Sequence, residues 1–254
     1  MGKQKIFTVV IILIIFGQTL VAQVVNVEKK RKDDADGFQG AIGIGFNYID
    51  NGKKIMRLTN KIDLQYKTGA HLILLLNDLS LMTVDNENLV NSGFQHLRYN
   101  YTVKDSSFFT IEALAQHQYN PIKLLAQRFI GGLGPRFRLI NREKIKLFVA
   151  SPILYEYEKL SDDNSTVTEM MRLDIYMSFS WQINENVSFG SISYYQPDIE
   201  NFKDYRISSE SIFTFNITDK LGFKTGFEAS YDSDPPNDIQ NLFYTWQNKL
   251  SYSF

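Results

Sequence analysis

The last thirteen residues, 242-LFYTWQNKLSYSF-254, decide the fold. Leu242, Tyr244, Trp246, Leu250, Tyr252 and Phe254 fall on one side of a period-two pattern. Thr245, Gln247, Lys249, Ser251 and Ser253 fall on the other. Successive side chains of a strand point to opposite faces, so the pattern predicts a strand with one apolar and one wet face. The strand runs to the end of the sequence, and its last side chain is a large aromatic.

The same alternation repeats upstream. In 171-MRLDIYMSFSWQI-183, Met171, Leu173, Ile175, Met177, Phe179, Trp181 and Ile183 oppose Arg172, Asp174, Ser178, Ser180 and Gln182. In 221-LGFKTGFEASYDS-233, Leu221, Phe223, Phe227 and Tyr231 oppose Lys224, Glu228, Ser230 and Asp232. In 144-KIKLFVASPILYEYE-158, Ile145, Leu147, Val149, Ile153, Tyr155 and Tyr157 alternate with a set holding Lys146, Glu156 and Glu158. The stretch 70-AHLILLLNDLSL-81 is apolar on both faces and leaves its register open.

The connectors fall into two alternating series. One is tight and polar: 67-KTGA-70, 103-VKDSS-107, 141-NREK-144, 184-NENV-187 and 216-NITDK-220. The other is generally longer: 50-DNGKK-54, 84-VDNENLVN-91, 119-YNPIK-123, 159-KLSDDNSTVT-168, 197-PDIENFKD-204 and 232-DSDPPNDIQ-240. Between them lie about twelve strands. Short turns at one end and longer loops at the other are the layout of outer-membrane barrels, with the short turns and both termini in the periplasm. A sheet in lipid must satisfy its own backbone groups, so it closes on itself. The expectation is therefore a closed, all-β antiparallel transmembrane barrel of about twelve strands over residues 37–254. The last strand is expected to pair with 37-GFQGAIGIGFNYI-49. Tyr48, Tyr99, Tyr101, Tyr155, Tyr157, Trp181, Tyr244 and Trp246 fit interfacial aromatic girdles.

The first residues, 1-MGKQKIFTVVIILIIFGQTLVAQ-23, carry Lys3 and Lys5 before an apolar run from Ile6 to Phe16. With Leu20 and Ala22 before the cleavage point, this predicts a signal peptide over residues 1–22. A short polar periplasmic leader is expected over residues 23–36. The apolar run is shorter than the roughly 20 residues of a spanning helix. The chain has no cysteine, which excludes disulfides, thiolate catalysis, cysteine metal sites and a lipidated cysteine. A net charge of −1 with no basic block argues against nucleic acid as a partner.

Several blocks carry a resemblance. The order 91-NSGFQHLRYNY-101, 109-FTIEALAQHQYN-120, 125-LAQRFIGGLGPRFRLI-140, then 231-YDSDPP-236 and the final LSYSF resembles domain-of-unknown-function family 481, the salt-induced outer-membrane proteins. The resemblance covers most of the chain after the signal peptide. It implies a Gram-negative outer-membrane barrel with no known enzymatic activity and no catalytic residues to carry over. Leu250, Tyr252 and Phe254 look like the C-terminal signal read by the outer-membrane insertion machinery. That machinery and outer-membrane lipid are the expected partners; the oligomeric state is left open.

Function is expected to lie in the inward-facing polar set. Candidate lumen-lining residues are Arg98, Glu112, Gln116, Arg128, Arg136, Arg138, Glu156, Arg172, Asp174, Lys224 and Glu228. Interspersed signs allow a paired network that plugs a narrow barrel. An incompletely filled lumen would instead pass small solutes, with its basic residues favouring anions. Gly132 and Gly134 would vacate inward space beside Arg136 and Arg138, or relieve crowding. The leading expectation is a porin-like small-solute channel or an envelope-maintenance barrel. The rival is a closed barrel acting through its outer loops.

His71, His96 and His117 are too scattered for a metal site, and no cofactor is expected. His96 is read as a lumen-facing structural hydrogen-bonding group. No enzyme is expected; the remote exception is a lipid hydrolase using His117 with Ser151 on a similar face two strands away. The acidic loops SDDNST and YDSDPPND are read as solvated acids rather than calcium ligands.

Overall fold

The computed structural model describes residues 36–85, 87–103, 108–236 and 239–252. The expected signal peptide, nearly all of the leader and Phe254 lie outside the described residues. The chain forms one antiparallel sheet. Its first six strands are β1 (Gly37–Asp50), β2 (Lys54–Thr68), β3 (His71–Val84), β4 (Glu87–Thr102), β5 (Phe109–Asn120) and β6 (Leu125–Asn141). Then come β7 (Ile145–Ala150), β8 (Ile153–Leu160), β9 (Val167–Leu173) and β10 (Ile175–Gln182). The last four are β11 (Val187–Pro197), β12 (Tyr205–Asn216), β13 (Leu221–Asp232) and β14 (Leu242–Tyr252).

These fourteen strands make twelve passes, because two passes are interrupted. β7 and β8 both lie along β6, and they pair in turn with β10 and β9. The first interruption is Ser151–Pro152; the second is Asp174. Proline has no N–H to give the ladder. Here the step is bridged by Ser151 N donating to Pro135 O at 3.0 Å and Asp174 N donating to Pro152 O at 2.8 Å. Pro152 steps toward the inside, and only glycine can face it. A Cβ on Gly134 would lie 2.2 Å from Pro152 Cα, and one on Gly132 would lie 2.4 Å from Leu154 Cδ2. The inward space those glycines vacate is thus filled by the neighbouring strand.

The turns alternate between two ends. Residues 69–70, 142–144, 183–186 and 217–220 connect strands at one end; 51–53, 121–124, 161–166, 198–204 and 233–241 connect them at the other. The connector expected at 84–91 is tighter than its sequence suggests, since β3 reaches Val84 and β4 restarts at Glu87. β1 begins opposite Lys67 and β14 ends opposite Leu221, so both ends of the sheet lie at the short-turn end.

The sheet curls so that one face is convex and apolar and the other concave and polar. On the convex face Ile73, Leu75, Leu97, Tyr99, Ile111, Phe129, Met177 and Trp246 are exposed. The concave face buries Gln65, His96, Arg98, Glu112, Arg128, Glu156 and Arg172. In β3 it is Leu72, Leu74 and Leu76 that turn inward, packing with Phe94, which resolves the one register the pattern left open.

The expected seam between β14 and β1 is not formed. β1 pairs with β2 alone and β14 with β13 alone, leaving two free edges. β1 holds Gly37, Gly40, Gly43 and Gly45, and glycine-rich strands specify register weakly.

Candidate functional site

The concave face gathers its charges into two clusters. The first joins β4, β5 and β10. Glu112, completely buried, accepts from Arg98 Nη1 at 3.3 Å, Asn100 Nδ2 at 3.2 Å and Tyr176 Oη at 2.9 Å. Arg98 Nε donates to His96 Nε2 at 3.3 Å, so His96 Nδ1 carries the proton and donates to Gln116 Oε1 at 3.0 Å. Gln116 then donates onward to Gln118. His96 is thus a buried neutral link in a polar chain.

The second cluster centres on Glu156, also completely buried. Its carboxylate takes a short hydrogen bond from Arg128 on β6 and another from Arg206 on β12 at 2.7 Å. Arg172 on β9 stands 3.7 Å away. Glu158 pairs with Arg206 at 3.2 Å and with Arg128 at 3.5 Å. Arg206 continues to Asp232 on β13 at 2.8 Å, and Arg172 to Asp204 at 3.0 Å. Asp174, at the break between β9 and β10, accepts from Gln196 Nε2 at 2.9 Å.

Glu112 and Tyr176 are separated by two intervening strands in the sheet, as are Glu156 and Arg206. Their contacts cross the concavity and hold its curvature. Removing ions from water costs several kcal/mol each, which good geometry must offset. The chain supplies that geometry with delocalised guanidinium groups that reach two carboxylates at once.

The remaining predicted residues lie elsewhere. Arg136 is buried, its guanidinium carbon 4.1 Å from the Phe148 ring centroid, and Arg138 approaches the same ring at 5.5 Å. Lys224 is exposed on the concave face near the short turns, and Glu228 faces Glu210 across the β12–β13 pair. At the loop end Lys123, in the 3-10 turn Pro121–Lys123, lies 5.0 Å from the Phe243 ring centroid. Burial pulls its ammonium down to about 8, with Glu228 opposing the shift.

Toward the short turns the concave face opens into a recess of about 420 Å³. Lys146 and Lys224 line it together with Ser180, Gln182, Ser188 and Thr214; Glu143 and Lys144 stand at its rim. A Cβ on Gly190 would meet no atom within 4 Å there. Lys146 and Lys224 form no ion pair among the described residues. The sequence reading places Lys146 inward but does not single it out. It misses Tyr176 because a buried tyrosine on the polar face breaks the alternation, and Asp204 because it lies in a loop.

His117 and Ser151 do not meet. His117 pairs with Phe129, which pairs with Tyr157 on β8, whereas Ser151 bonds beside Pro135. Six residues of strand separate the two levels, about 20 Å. Among the described residues no three His, Asp or Glu side chains gather to hold a metal ion. In the loop SDDNST, Asp162 instead accepts from Thr166 N at 2.7 Å, and the Thr166 bonds hold its carboxyl below the usual range.

A curled antiparallel meander with an apolar outside and a polar, salt-bridged inside defines the class. The chain belongs to the family described as "Protein of unknown function, DUF481", which matches residues 40–254. Among solved structures it is similar to the NanC porin, at 9% identity and a TM-score of 0.47, covering 84% of this chain and 100% of that one. It is also similar to the KdgM porin, at 11% identity and a TM-score of 0.39, covering 82% and 98%. No curated protein matches the sequence.

Proposed function

We propose that this protein is an outer-membrane barrel that passes small anionic solutes beside an internal ion-pair constriction. β14 and β1 close the barrel, with both termini and the short turns in the periplasm. The apolar convex face meets lipid. Closure follows from the need of edge N–H and C=O groups for partners in a bilayer. Outward Leu250 and Tyr252 are the described part of the segment offered to the insertion machinery.

The observation that carries the channel reading is the lysine-lined recess. Lys146 and Lys224 face an open volume and form no ion pair among the described residues, whereas Arg128, Arg172 and Arg206 are taken up by carboxylates. Unpaired cations on a pore wall favour anions. β1 adds space on the same side, because its inward residues Ala41, Gly43 and Gly45 are small.

The test is planar-bilayer conductance of the refolded mature protein, with a boiled-versus-unboiled gel shift to establish that a folded barrel is present. Stable, anion-preferring steps support the reading. Silence from a folded barrel overturns it in favour of a plugged barrel acting through its outer loops, the reading that the Glu156 cluster favours.

A further inference from the structure

The convex face of β2–β5 carries a feature that neither channel nor plug uses. Asn60, Asn77, Gln95 and His117 occupy outward positions on four successive strands, amid Leu58, Leu75, Leu97 and Phe129. They form one hydrogen-bonded row. His117 Nδ1 lies 2.7 Å from Gln95 Oε1; Gln95 Nε2 donates to Asn77 Oδ1 at 3.3 Å; Asn77 Nδ2 donates to Asn60 Oδ1. A carbonyl oxygen only accepts, so Nδ1 carries the imidazole proton. Every bond in the row therefore points the same way.

This direction leaves amide hydrogens of Asn60 at one end and the acceptor His117 Nε2 at the other. Asn77 and Gln95 each keep a second amide hydrogen. Polar groups facing hydrocarbon are costly unless satisfied, and single residues of this kind are tolerated as accidents. Asn77, Gln95 and His117 lie in register on three strands and Asn60 joins them diagonally from β2; placed together halfway along β2, β3 and β4, the four are a built surface.

Beside the row the convex face is shallow. Ala115 pairs with Gly131, and a Cβ on Gly131 would meet no atom within 4 Å. Small residues let two backbones approach closely in lipid, where packing and hydrogen bonds rather than hydrophobicity drive association. The patch holds no formal charge, so it does not select a charged partner. A donor-to-acceptor row is its own complement once its direction is reversed, and a twofold axis along the membrane normal reverses it.

We infer that the outward face of β2–β5, centred on Gln95 and Ala115, is the contact between two copies of this chain in the membrane. The inference rests on the outer-membrane reading above. It differs from the channel reading in that it requires no open lumen.

The chain has no cysteine, so single introduced thiols report cleanly. Ala115→Cys in membranes carrying the protein, treated with a short bismaleimide, is expected to give a covalent dimer of this chain. Ala229→Cys, on the convex face of β13, is expected to give at least tenfold less. Adding Asn77→Leu, Gln95→Leu and His117→Leu to Ala115→Cys should abolish the cross-link. The heat-shifted folded band should persist, because the leucines face lipid. Equal cross-linking at both sites, an undiminished dimer in the leucine variant, or a cross-link to a different protein each overturns the inference. Absence of a heat-modifiable band from the outer-membrane fraction overturns the outer-membrane reading itself, and this inference with it.

Discussion

The two walls of the concavity solve the problem of a polar interior differently. One wall, the paired clusters of β4–β12, buries and shares its charges: Glu112 has Arg98 and Tyr176, and Glu156 has Arg128, Arg172 and Arg206. The other, made by β2, β3 and β14 with the short-turn ends of β7 and β13, leaves its charges exposed or loosely paired. Lys61 and Asp78 lie 3.4 Å apart with half of each side chain in solvent, and Lys224 and Lys249 sit level on neighbouring strands. Buried ions need partners, whereas exposed ions need only water. The first wall is therefore the rigid one, and the second is free to act on whatever enters.

The comparison can be broken first at its mechanical centre. Gly134→Val drives a side chain into the Pro152 backbone and is expected to prevent recovery of a heat-modifiable barrel. Gly190→Ala, whose new methyl would point into the recess, should refold like the parent. Normal refolding of Gly134→Val would show that the interruption at Ser151–Pro152 is not a fixed part of the fold.

Next in size is the loss of a shared carboxylate. Glu156→Gln leaves three arginines facing a neutral amide, and breaking a buried pair costs about 3–5 kcal/mol. Urea unfolding of the refolded barrel in lipid should register that loss. Lys146→Gln, which touches no ion pair, should stay within about 0.5 kcal/mol. Equal effects would erase the distinction between the walls.

A smaller effect separates the loop end from both walls. Lys123 releases its proton near pH 8 in the folded protein, against 10.5 for an ordinary lysine. Between those values the unfolded chain holds a proton that the folded one lacks, so stability rises with pH across this window. Lys123→Met is expected to flatten that rise in unfolding measured from pH 7.5 to 10.5. An unchanged slope would mean that Lys123 is solvated.

Much of this was legible in the sequence. Period-two alternation gives the faces of 242–252 and, Tyr176 apart, of 171–182, because each strand has one apolar face and one toward polar groups. It fails at β3, where Leu72, Leu74 and Leu76 fill the inside and both faces read alike. It gives the number of passes but not the breaks at Pro152 and Asp174, which depend on how Gly134 meets the next strand. The inward charges are readable too; which of them pair is not. Glu156 meets Arg206 from 50 residues away because of curvature, a property of the whole sheet. The outward row of Asn60, Asn77, Gln95 and His117 leaves a trace in the sequence, one polar residue interrupting each apolar face. Seeing it as a row requires the register of four strands.

The measurement that tests the account most directly is the reversal potential of single channels under a salt gradient, for the parent and two double variants. The account predicts an anion preference that Lys146→Gln with Lys224→Gln removes. Arg136→Gln with Arg138→Gln should leave it in place, because those guanidinium groups lie against Phe148. A preference that follows the arginines and ignores the lysines would contradict it, as would a folded barrel that never conducts.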